Sequence, residues 1–186
     1  MSDDVGEAPE RAKRTAMERA KRVRLMVFDV DGVLTDGRLW YGPAGEALKA
    51  FHVLDGHGIK LLSQGGTAIA LLSGRASPAV AQRAAELGIG EVLQGIEDKR
   101  GAFEALAARH GLALAETGYM GDEVVDLPVL RRCGFACAPR QAHERVRASA
   151  HYVTRARAGC GAVREVCELV LRAQDRLEAA LARYLA

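Results

Sequence analysis

From Leu25 onward, the sequence alternates short apolar runs with longer stretches of helical periodicity. This alternation is typical of an α/β fold in which parallel strands are connected by crossover helices. In chain order, we predict strands at residues 25–28, 67–72, 91–93, 119–120, 135–138 and 152–154. Because the carboxyl ends of such strands share one edge of the sheet, residues that follow different strands are expected to meet there.

Local signals place helices between these strands. Ser77 can cap a helix whose first turn contains Pro78, and Gly88 supplies a stop for it. Asp98 can cap the next helix. At the end of the chain we predict one long amphipathic helix over about 161–184.

The first 24 residues mix acids and bases in an Ala-rich setting without an apolar stripe suited to a core. We therefore expect residues 1–24 to be an N-terminal extension, either a frayed tail or an outer helix. A chain of 186 residues has the usual size of one domain, so residues 25–186 are predicted to form a single domain.

One segment interrupts the alternation of strands and helices. Residues 38–41 and 47–51 flank a Gly-Pro-Ala-Gly sequence, which has the turn chemistry of a β-hairpin. We predict a hairpin that projects from the main sheet.

Composition and charge exclude several classes of function. A net charge of +2 argues against a nucleic-acid partner, so any anion that the protein binds should be small. No apolar run approaches the roughly 18 residues of a membrane span, and the N-terminus lacks the apolar segment of a signal peptide. We therefore expect a cytoplasmic protein with no membrane partner. Four cysteines without metal-site spacing are interpreted as small buried hydrophobic residues: Cys133, Cys137, Cys160 and Cys167.

Polar side chains come after the first four strands of the predicted sheet: Asp29, Asp31, Ser73, Lys99, Asp122 and Asp126. Three clustered carboxylates repel one another unless a cation joins them. Hard oxygen ligands with room for water and phosphate oxygens fit Mg²⁺. Lys99 and the hydroxyl of Ser73 would then hold the remaining phosphate oxygens.

Each of these motifs alone has a simpler interpretation. An Asp-Gly pair is a common turn, and a lysine before a helix is usually a solvated charge. The order and spacing of the whole set favour catalysis, because four independent turns would rarely each place the needed group after a buried strand.

Residues 28–37 (Phe-Asp-Val-Asp-Gly-Val-Leu-Thr-Asp-Gly) and 71–75 (Leu-Leu-Ser-Gly-Arg), followed by Lys99 and by Gly-Asp at 121–122, resemble the four ordered motifs of the haloacid dehalogenase superfamily of phosphatases. Segments 51–60, 94–95 and 161–167 are further similar to the 3-deoxy-D-manno-octulosonate 8-phosphate phosphatase family. That family serves lipopolysaccharide sugar synthesis in Gram-negative bacteria. The resemblance implies a Rossmann-like parallel sheet flanked by helices, with the hairpin in place of a cap domain.

The resemblance also implies roles for the catalytic residues. Asp29 attacks phosphorus and forms an aspartyl-phosphate, while Asp31 protonates the departing alkoxide and later activates water. Ser73 and Lys99 hold the phosphoryl oxygens.

A magnesium site is implied by the same resemblance. The carboxylates of Asp29 and Asp122 and the main-chain carbonyl of Asp31 are the expected ligands. Asp126 is expected to orient Lys99 or a metal-bound water rather than to ligate the ion directly.

The substrate residues implied by the resemblance are Asp31, His52, Val53, Leu54, Asp55, Gly56, Lys60, Arg75, Arg83 and Lys99. Arg75 adjoins Ser73, and its guanidinium suits the carboxylate of a sugar acid. In relatives that process nine-carbon sugar-acid phosphates this position tends to be acidic, so the arginine favours the eight-carbon acid. For His52 and Arg83, a solvated or packing side chain is an equally good interpretation.

The hairpin has a predicted role in assembly. It carries Leu39, Trp40 and Tyr41, whose apolar surface a monomer would struggle to cover. The resemblance implies a homotetramer in which hairpins meet at the centre and the tail near Gly159 reaches a neighbouring site. The alternative is that Trp40 packs on its own subunit.

Other functions remain as alternatives. They are a phosphatase for a nine-carbon sugar-acid phosphate, a non-catalytic oligomerisation domain and a phosphoacceptor signalling domain. A non-catalytic domain could lose Asp31 or Lys99 without penalty, and a signalling domain has no need of Asp31 as an acid. A dehalogenase is disfavoured because its chemistry requires no general acid two residues after the nucleophile.

Overall fold

The predicted strands assemble into one sheet, with the hairpin set apart from it. The computed structural model describes residues 14–43 and 45–185. In chain order its strands are Leu25–Phe28 (β1), Trp40–Gly42 (β2), Gly45–Leu48 (β3), Ala68–Leu72 (β4), Glu91–Leu93 (β5), Thr117–Met120 (β6), Phe135–Ala138 (β7) and Tyr152–Val153 (β8). Six of them form a sheet in the order β5-β4-β1-β6-β7-β8, in which each pairing is parallel. The predicted α/β class is confirmed.

Helices connect the strands and cover both faces of the sheet. They are residues 14–20 (α1), Val53–Gln64 (α2), Pro78–Leu87 (α3), Lys99–Arg109 (α4), Leu127–Leu130 (α5), Glu144–Ser149 (α6), Ala162–Ala173 (α7) and Leu177–Ala182 (α8). Asp98 caps α4 as predicted, since its carboxylate accepts the N–H of Gly101 at 3.0 Å. Ser77 precedes α3 without a side-chain capping bond, and Gly88 ends that helix with a φ of 73°.

Alternating side chains of each central strand serve two separate cores. Met26 and Phe28 pack with helices α1, α2, α3, α7 and α8 on one face. Leu25 and Val27 face the opposite side, where Phe103 and other residues of α4, α5 and α6 cover them. Because β1 is buried on both faces, its carboxyl end is held rigidly.

The position of β1 in the sheet determines where a ligand can bind. β4 lies on one side of β1 and β6 on the other, so the connections leaving these strands diverge. In open parallel sheets, ligands bind outside the carboxyl ends of the strands at such a point.

The prediction that the N-terminal segment lacks a core stripe is wrong. Ala16 and Ala20, four residues apart on α1, and Val23 beyond it are buried in the core. Small side chains let this helix approach the sheet closely. Its buried face therefore consists of alanines and lacks the large apolar residues by which a core-facing stripe is usually recognised. The remainder of the predicted extension, residues 1–13, lies outside the described residues. The domain boundary at residue 24 stays a prediction.

The long final helix is also a wrong prediction, because the chain forms α7 and α8 with a break between them. Asp175 has a φ of 57°, which a right-handed helix excludes. The side chain of Gln174 donates to the carbonyl of Val23 at 2.7 Å. This bond ties the break to the N-terminal segment, and Leu177 at the start of α8 packs in the same core as Val23.

The predicted hairpin is present. β2 and β3 pair antiparallel as a separate two-stranded sheet. Between β4 and α4 the chain forms only α3 and β5, so the described part of the chain contains no cap domain.

Three of the four cysteines are buried as predicted, namely Cys133, Cys137 and Cys167. Cys160 is exposed, so its prediction is wrong; it lies in the turn before α7, outside both cores. None of the helices described for this chain is long and apolar enough to cross a bilayer.

Candidate active site

One open pocket lies at the carboxyl ends of β1, β4 and β6 and the start of α4. It is lined by Asp29, Asp31, Gly32, Gly37, Ser73, Gly74, Arg75, Lys99, Asp122, Glu123 and Val125. The fold thus brings together the four predicted catalytic residues and the predicted metal ligand Asp122, which are spread over more than 90 positions of the sequence.

Asp29 is the most deeply placed acid that lines the pocket. Its backbone N–H donates to the carbonyl of Met120 at 3.0 Å, which fixes it against β6. Its side chain is buried, and Oδ1 lies 3.1 Å from Nζ of Lys99. Burial, followed by the charge of Asp126, raises the pKa of Asp29 to about 7, although Lys99 opposes the rise. An added cation would therefore favour the ionised, nucleophilic form.

Asp126 is buried behind the pocket and holds Lys99 in place. Its Oδ1 accepts bonds from Nζ of Lys99 at 2.7 Å and from the hydroxyl of Tyr119 at 2.6 Å. Its Oδ2 accepts the backbone N–H groups of Asp122 at 3.0 Å and Glu123 at 3.1 Å. Burial opposes the charge of Lys99, but the two carboxylates beside it outweigh burial and hold its pKa above the usual value. This geometry agrees with the orienting role predicted for Asp126.

The acidic residues fit a divalent cation. Carboxylate oxygens of Asp29, Asp122 and Asp126 all lie within 4.8 Å of one another. Asp122 Oδ1 is buried and has no hydrogen-bond partner among the described residues. Burial, then the charges of Asp29 and Asp126, raise the pKa of Asp122 to about 7. Since Asp126 already accepts four hydrogen bonds, the oxygens of Asp29 and Asp122 are the better ligands.

A glycine allows the first motif to approach the second acid. Gly32 has a φ of 79°, and a Cβ atom there would lie 2.0 Å from Oδ2 of Asp122. Any larger residue would displace that carboxylate. The turn is held by the hydroxyl of Thr35, which accepts the N–H groups of Gly32 and Gly37 at 3.3 Å each.

Ser73 and Arg75 stand on the opposite wall of the pocket, after β4. Ser73 is buried, and its hydroxyl accepts the N–H of Arg75 at 3.2 Å. Arg75 is half-exposed, with Nε 3.6 Å from Oδ2 of Asp31 and Nη2 3.2 Å from the hydroxyl of Tyr41. The guanidinium therefore lies at the pocket mouth, between Asp31 and Tyr41.

Sequence reasoning missed Lys49 and Tyr119. Lys49 forms an ion pair with Oδ1 of Asp31 although it lies just beyond the hairpin. A single lysine between a hairpin and a helix carries no pattern that would identify it. Tyr119 was predicted only as a buried strand residue, whereas the structure shows its hydroxyl bonded to Asp126.

Seven predicted substrate residues are not among the residues that line the pocket of their own chain: His52, Val53, Leu54, Asp55, Gly56, Lys60 and Arg83. The side chain of His52 caps α2 by accepting the N–H of Leu54 at 3.3 Å. Val53, Leu54 and Lys60 are exposed. Gly56 lies beneath Arg83, which pairs with Glu86 at 3.1 Å.

The carboxylate of Asp55 is engaged within its own chain, and its predicted contact with the substrate stays a prediction. It is buried, and its two oxygens accept the backbone N–H groups of Gly161 at 3.1 Å and Arg164 at 2.9 Å. Within this chain, Asp55 joins α2 to the N-terminus of α7.

Gly159 lies close to the pocket of its own chain. Its N–H donates to the carbonyl of Val33 at 3.3 Å, and a Cβ atom there would lie 2.6 Å from the backbone nitrogen of Asp36. The predicted reach of this segment to a neighbouring subunit stays a prediction.

Known proteins resemble the chain in both sequence and structure. The sequence profile of the haloacid dehalogenase-like hydrolases matches residues 88–166. Over 164 residues, the chain is 43% identical to the 3-deoxy-D-manno-octulosonate 8-phosphate phosphatase of Yersinia pestis, covering 88% of each protein.

Two solved structures are similar over most of their length. The 3-deoxy-D-manno-octulosonate 8-phosphate phosphatase of Moraxella catarrhalis, in complex with a magnesium ion, a phosphate ion and a KDO molecule, is 41% identical with a TM-score of 0.89, over 91% of this chain and 97% of that one. The cobalt-bound deoxy-D-mannose-octulosonate 8-phosphate phosphatase of Haemophilus influenzae is 39% identical with a TM-score of 0.84, over 87% and 94%.

Proposed function

The chain belongs to the haloacid dehalogenase-like hydrolase family, among the 3-deoxy-D-manno-octulosonate 8-phosphate phosphatases, and we propose that it hydrolyses this sugar phosphate to the free sugar acid and phosphate. It is a phosphomonoester hydrolase with Mg²⁺ as its cofactor, as predicted. The observation that carries the proposal is the pocket in which Asp29, Asp31, Ser73, Lys99 and Asp122 meet. The reaction would supply a sugar for lipopolysaccharide synthesis.

The first step forms a bond between a carboxylate oxygen of Asp29 and phosphorus. The ester bond to the sugar breaks, and Asp31 gives its proton to the departing alkoxide. In the second step, Asp31 takes a proton from water as the water attacks phosphorus, which releases phosphate and restores Asp29. Lys99 and Ser73 hold phosphoryl oxygens throughout.

The carboxylates of Asp29 and Asp122, with the main-chain carbonyl of Asp31, would hold the Mg²⁺ ion. When bound, the ion supplies positive charge that offsets the charge of the phosphoryl group. Asp126 keeps Lys99 beside Asp29 without occupying a ligand position.

Selectivity for the eight-carbon acid is assigned to Arg75. Its guanidinium lies at the pocket mouth, 3.6 Å from Asp31, where it can bind a carboxylate. An acidic side chain at this position would repel the same group.

A homotetramer would supply the substrate contacts that one chain lacks. The seven predicted substrate residues outside the pocket lie on α2, the segment before it, and α3. Val53 and Leu54 are 77% and 52% exposed, which suits a surface that meets a second copy. A cytoplasmic location remains a prediction from the sequence.

Turnover of a panel of phosphate esters tests the proposed function. The panel contains the eight-carbon and nine-carbon sugar-acid phosphates and unrelated sugar phosphates, assayed with Mg²⁺. We expect kcat/KM to be highest for the eight-carbon acid, and the variant Asp29→Asn to lose activity on every ester.

Comparable rates across the panel would refute the substrate but leave the chemistry intact. Full activity of Asp29→Asn would refute the chemistry. Arg75→Lys keeps the charge but loses the planar guanidinium, so it should lower kcat/KM for sugar acids more than for neutral sugar phosphates.

A further inference from the structure

Lys49 is a buried lysine at the edge of the active-site pocket. It follows β3 directly, and its side chain is 1% exposed. Its ammonium forms an ion pair with Oδ1 of Asp31, which follows a different strand of a different sheet. The base of the hairpin is thereby joined to the first motif.

Burial of this lysine requires compensation. Removing an ammonium group from water is strongly unfavourable unless a carboxylate and further hydrogen bonds replace the lost hydration. A lysine with only a surface function would keep its amine in solvent. The carboxylate of Asp31 supplies part of this compensation.

The two oxygens of Asp31 have different surroundings. Oδ1 is bound by Lys49, whereas Oδ2 is buried without a hydrogen-bond partner among the described residues. Arg75 approaches Oδ2 only to 3.6 Å. The ion pair leaves Oδ2 as the oxygen able to exchange a proton with a substrate.

The hairpin approaches Asp31 from a second direction as well. Tyr41, in β2, accepts a bond at 3.2 Å from Arg75, the residue beside Oδ2. A substrate carboxylate would pair with Arg75, so Lys49 is the residue left to hold Asp31 in place during turnover.

We propose that Lys49 is a positioning residue that fixes the carboxyl group of Asp31 through Oδ1 and thereby aims Oδ2 at the leaving-group oxygen. The proposal rests on the role of Asp31 as general acid in the proposed function. It assigns the hairpin base a part in catalysis within its own chain, in addition to any part of the hairpin in assembly.

The test is how far Lys49→Met lowers the rate of leaving-group release for esters with different leaving groups. Leaving-group release is measured in single turnovers of aryl phosphates from 4-nitrophenyl to phenyl, and of an alkyl phosphate. A misplaced general acid matters little for 4-nitrophenolate, which departs without a proton. We expect the single-turnover rate of Lys49→Met to fall by a few-fold or less for the 4-nitrophenyl ester and by about 10²-fold for the alkyl ester.

Two further variants separate positioning from structural damage. Lys49→Arg should recover part of the lost rate on the alkyl ester, because it keeps the charge. In a protein that already carries Asp31→Asn, the second substitution Lys49→Met should lower the rate almost no further, since its effect passes through Asp31. Lys21→Met, at an exposed position far from the pocket, is the matched control.

An equal loss for all leaving groups, or a full additional loss in the Asp31→Asn background, would overturn the proposal. Because the aryl esters contain no sugar acid, this result is independent of the assigned substrate. If the sugar-acid phosphate were not turned over, only the substrate assignment would fail.

Discussion

Two carboxyl groups in the pocket resist ionisation unless a metal ion lies beside them, even though Lys99 is close. Burial raises the pKa values of Asp29 and Asp122 to about 7, helped by the charge of Asp126 on both and by that of Asp29 on Asp122. This is well above the roughly 3.9 of an aspartate in an unfolded chain. The folded protein without metal therefore binds protons more tightly than the unfolded chain. Its free energy of unfolding should fall as the pH rises from about 4 to about 7.

Stabilisation by Mg²⁺ should consequently depend on pH. We expect the melting temperature of the EDTA-treated protein to be lower at pH 8 than at pH 5.5. Adding Mg²⁺ at about 100 times its Kd at pH 8 should raise the melting temperature at pH 8 by roughly 5–10 °C. The increase at pH 5.5 should be smaller, because protons compete for the same oxygens. Thermal melts with and without Mg²⁺ check this, and Asp122→Asn should abolish the difference. An increase that is equal at both pH values would contradict the assigned ligands.

Asp126 provides a second test at the residue scale. Asp126→Asn removes the charge that holds Lys99 but keeps the size of the side chain, so we expect kcat to fall about 10- to 100-fold. Tyr119→Phe removes a different bond to the same oxygen and leaves the ion pair intact. Its effect on kcat should be much smaller. Equal kcat losses in the two variants would show that the bond from Tyr119 matters as much as the ion pair with Lys99.

At the scale of elements, the site could be predicted because strands have short-range patterns and a common direction. The run Leu25–Phe28 predicted a strand, and its carboxyl end fixed the place of Asp29. Residues after other strands then had to lie nearby, since every strand of the main sheet is parallel. The acids and Lys99 were predicted together for this reason.

Features that depend on packing between distant segments were not predictable in the same way. The burial of Lys49 depends on how the hairpin folds back, and the burial of Ala16 depends on a close approach of α1 to the core. At the break between α7 and α8, Gln174 bonds to Val23, 151 positions away. No local pattern reports such contacts.

Asp55 yields a prediction about two helices. Asp55→Ala would leave two N–H groups at the start of α7 without their acceptor, which should cost about 1–3 kcal/mol and lower the melting temperature by several degrees. Thermal melts measure this, with Glu104→Ala as a control at a half-buried surface position whose long ion pair with Arg132 contributes little. An unchanged melting temperature with a raised KM would instead support direct contact of Asp55 with the substrate.

At the scale of the whole molecule, the hairpin leaves an apolar surface uncovered. Trp40, Tyr41 and Leu48 are 55%, 65% and 67% exposed. More than half of Trp40 is left uncovered by its own subunit, which favours contact with another copy over the alternative that Trp40 packs on its own subunit. Side chains of this size on a short two-stranded sheet favour contact with another copy, in agreement with the proposed tetramer.

Charged substitutions on this surface separate assembly from chemistry. Trp40→Asp with Leu48→Asp should give monomers in light scattering, because two buried charges would oppose the interface. The pocket residues all come from one chain, so activity on 4-nitrophenyl phosphate should persist. For the sugar-acid phosphate, loss of contacts from a neighbour should lower kcat/KM about 10- to 100-fold. The control Leu185→Asp, at another exposed apolar site, should change neither the oligomeric state nor kcat/KM for the sugar-acid phosphate. A variant that stays tetrameric would refute the hairpin surface as the interface, and a monomer fully active on the sugar acid would refute the dependence of substrate binding on assembly.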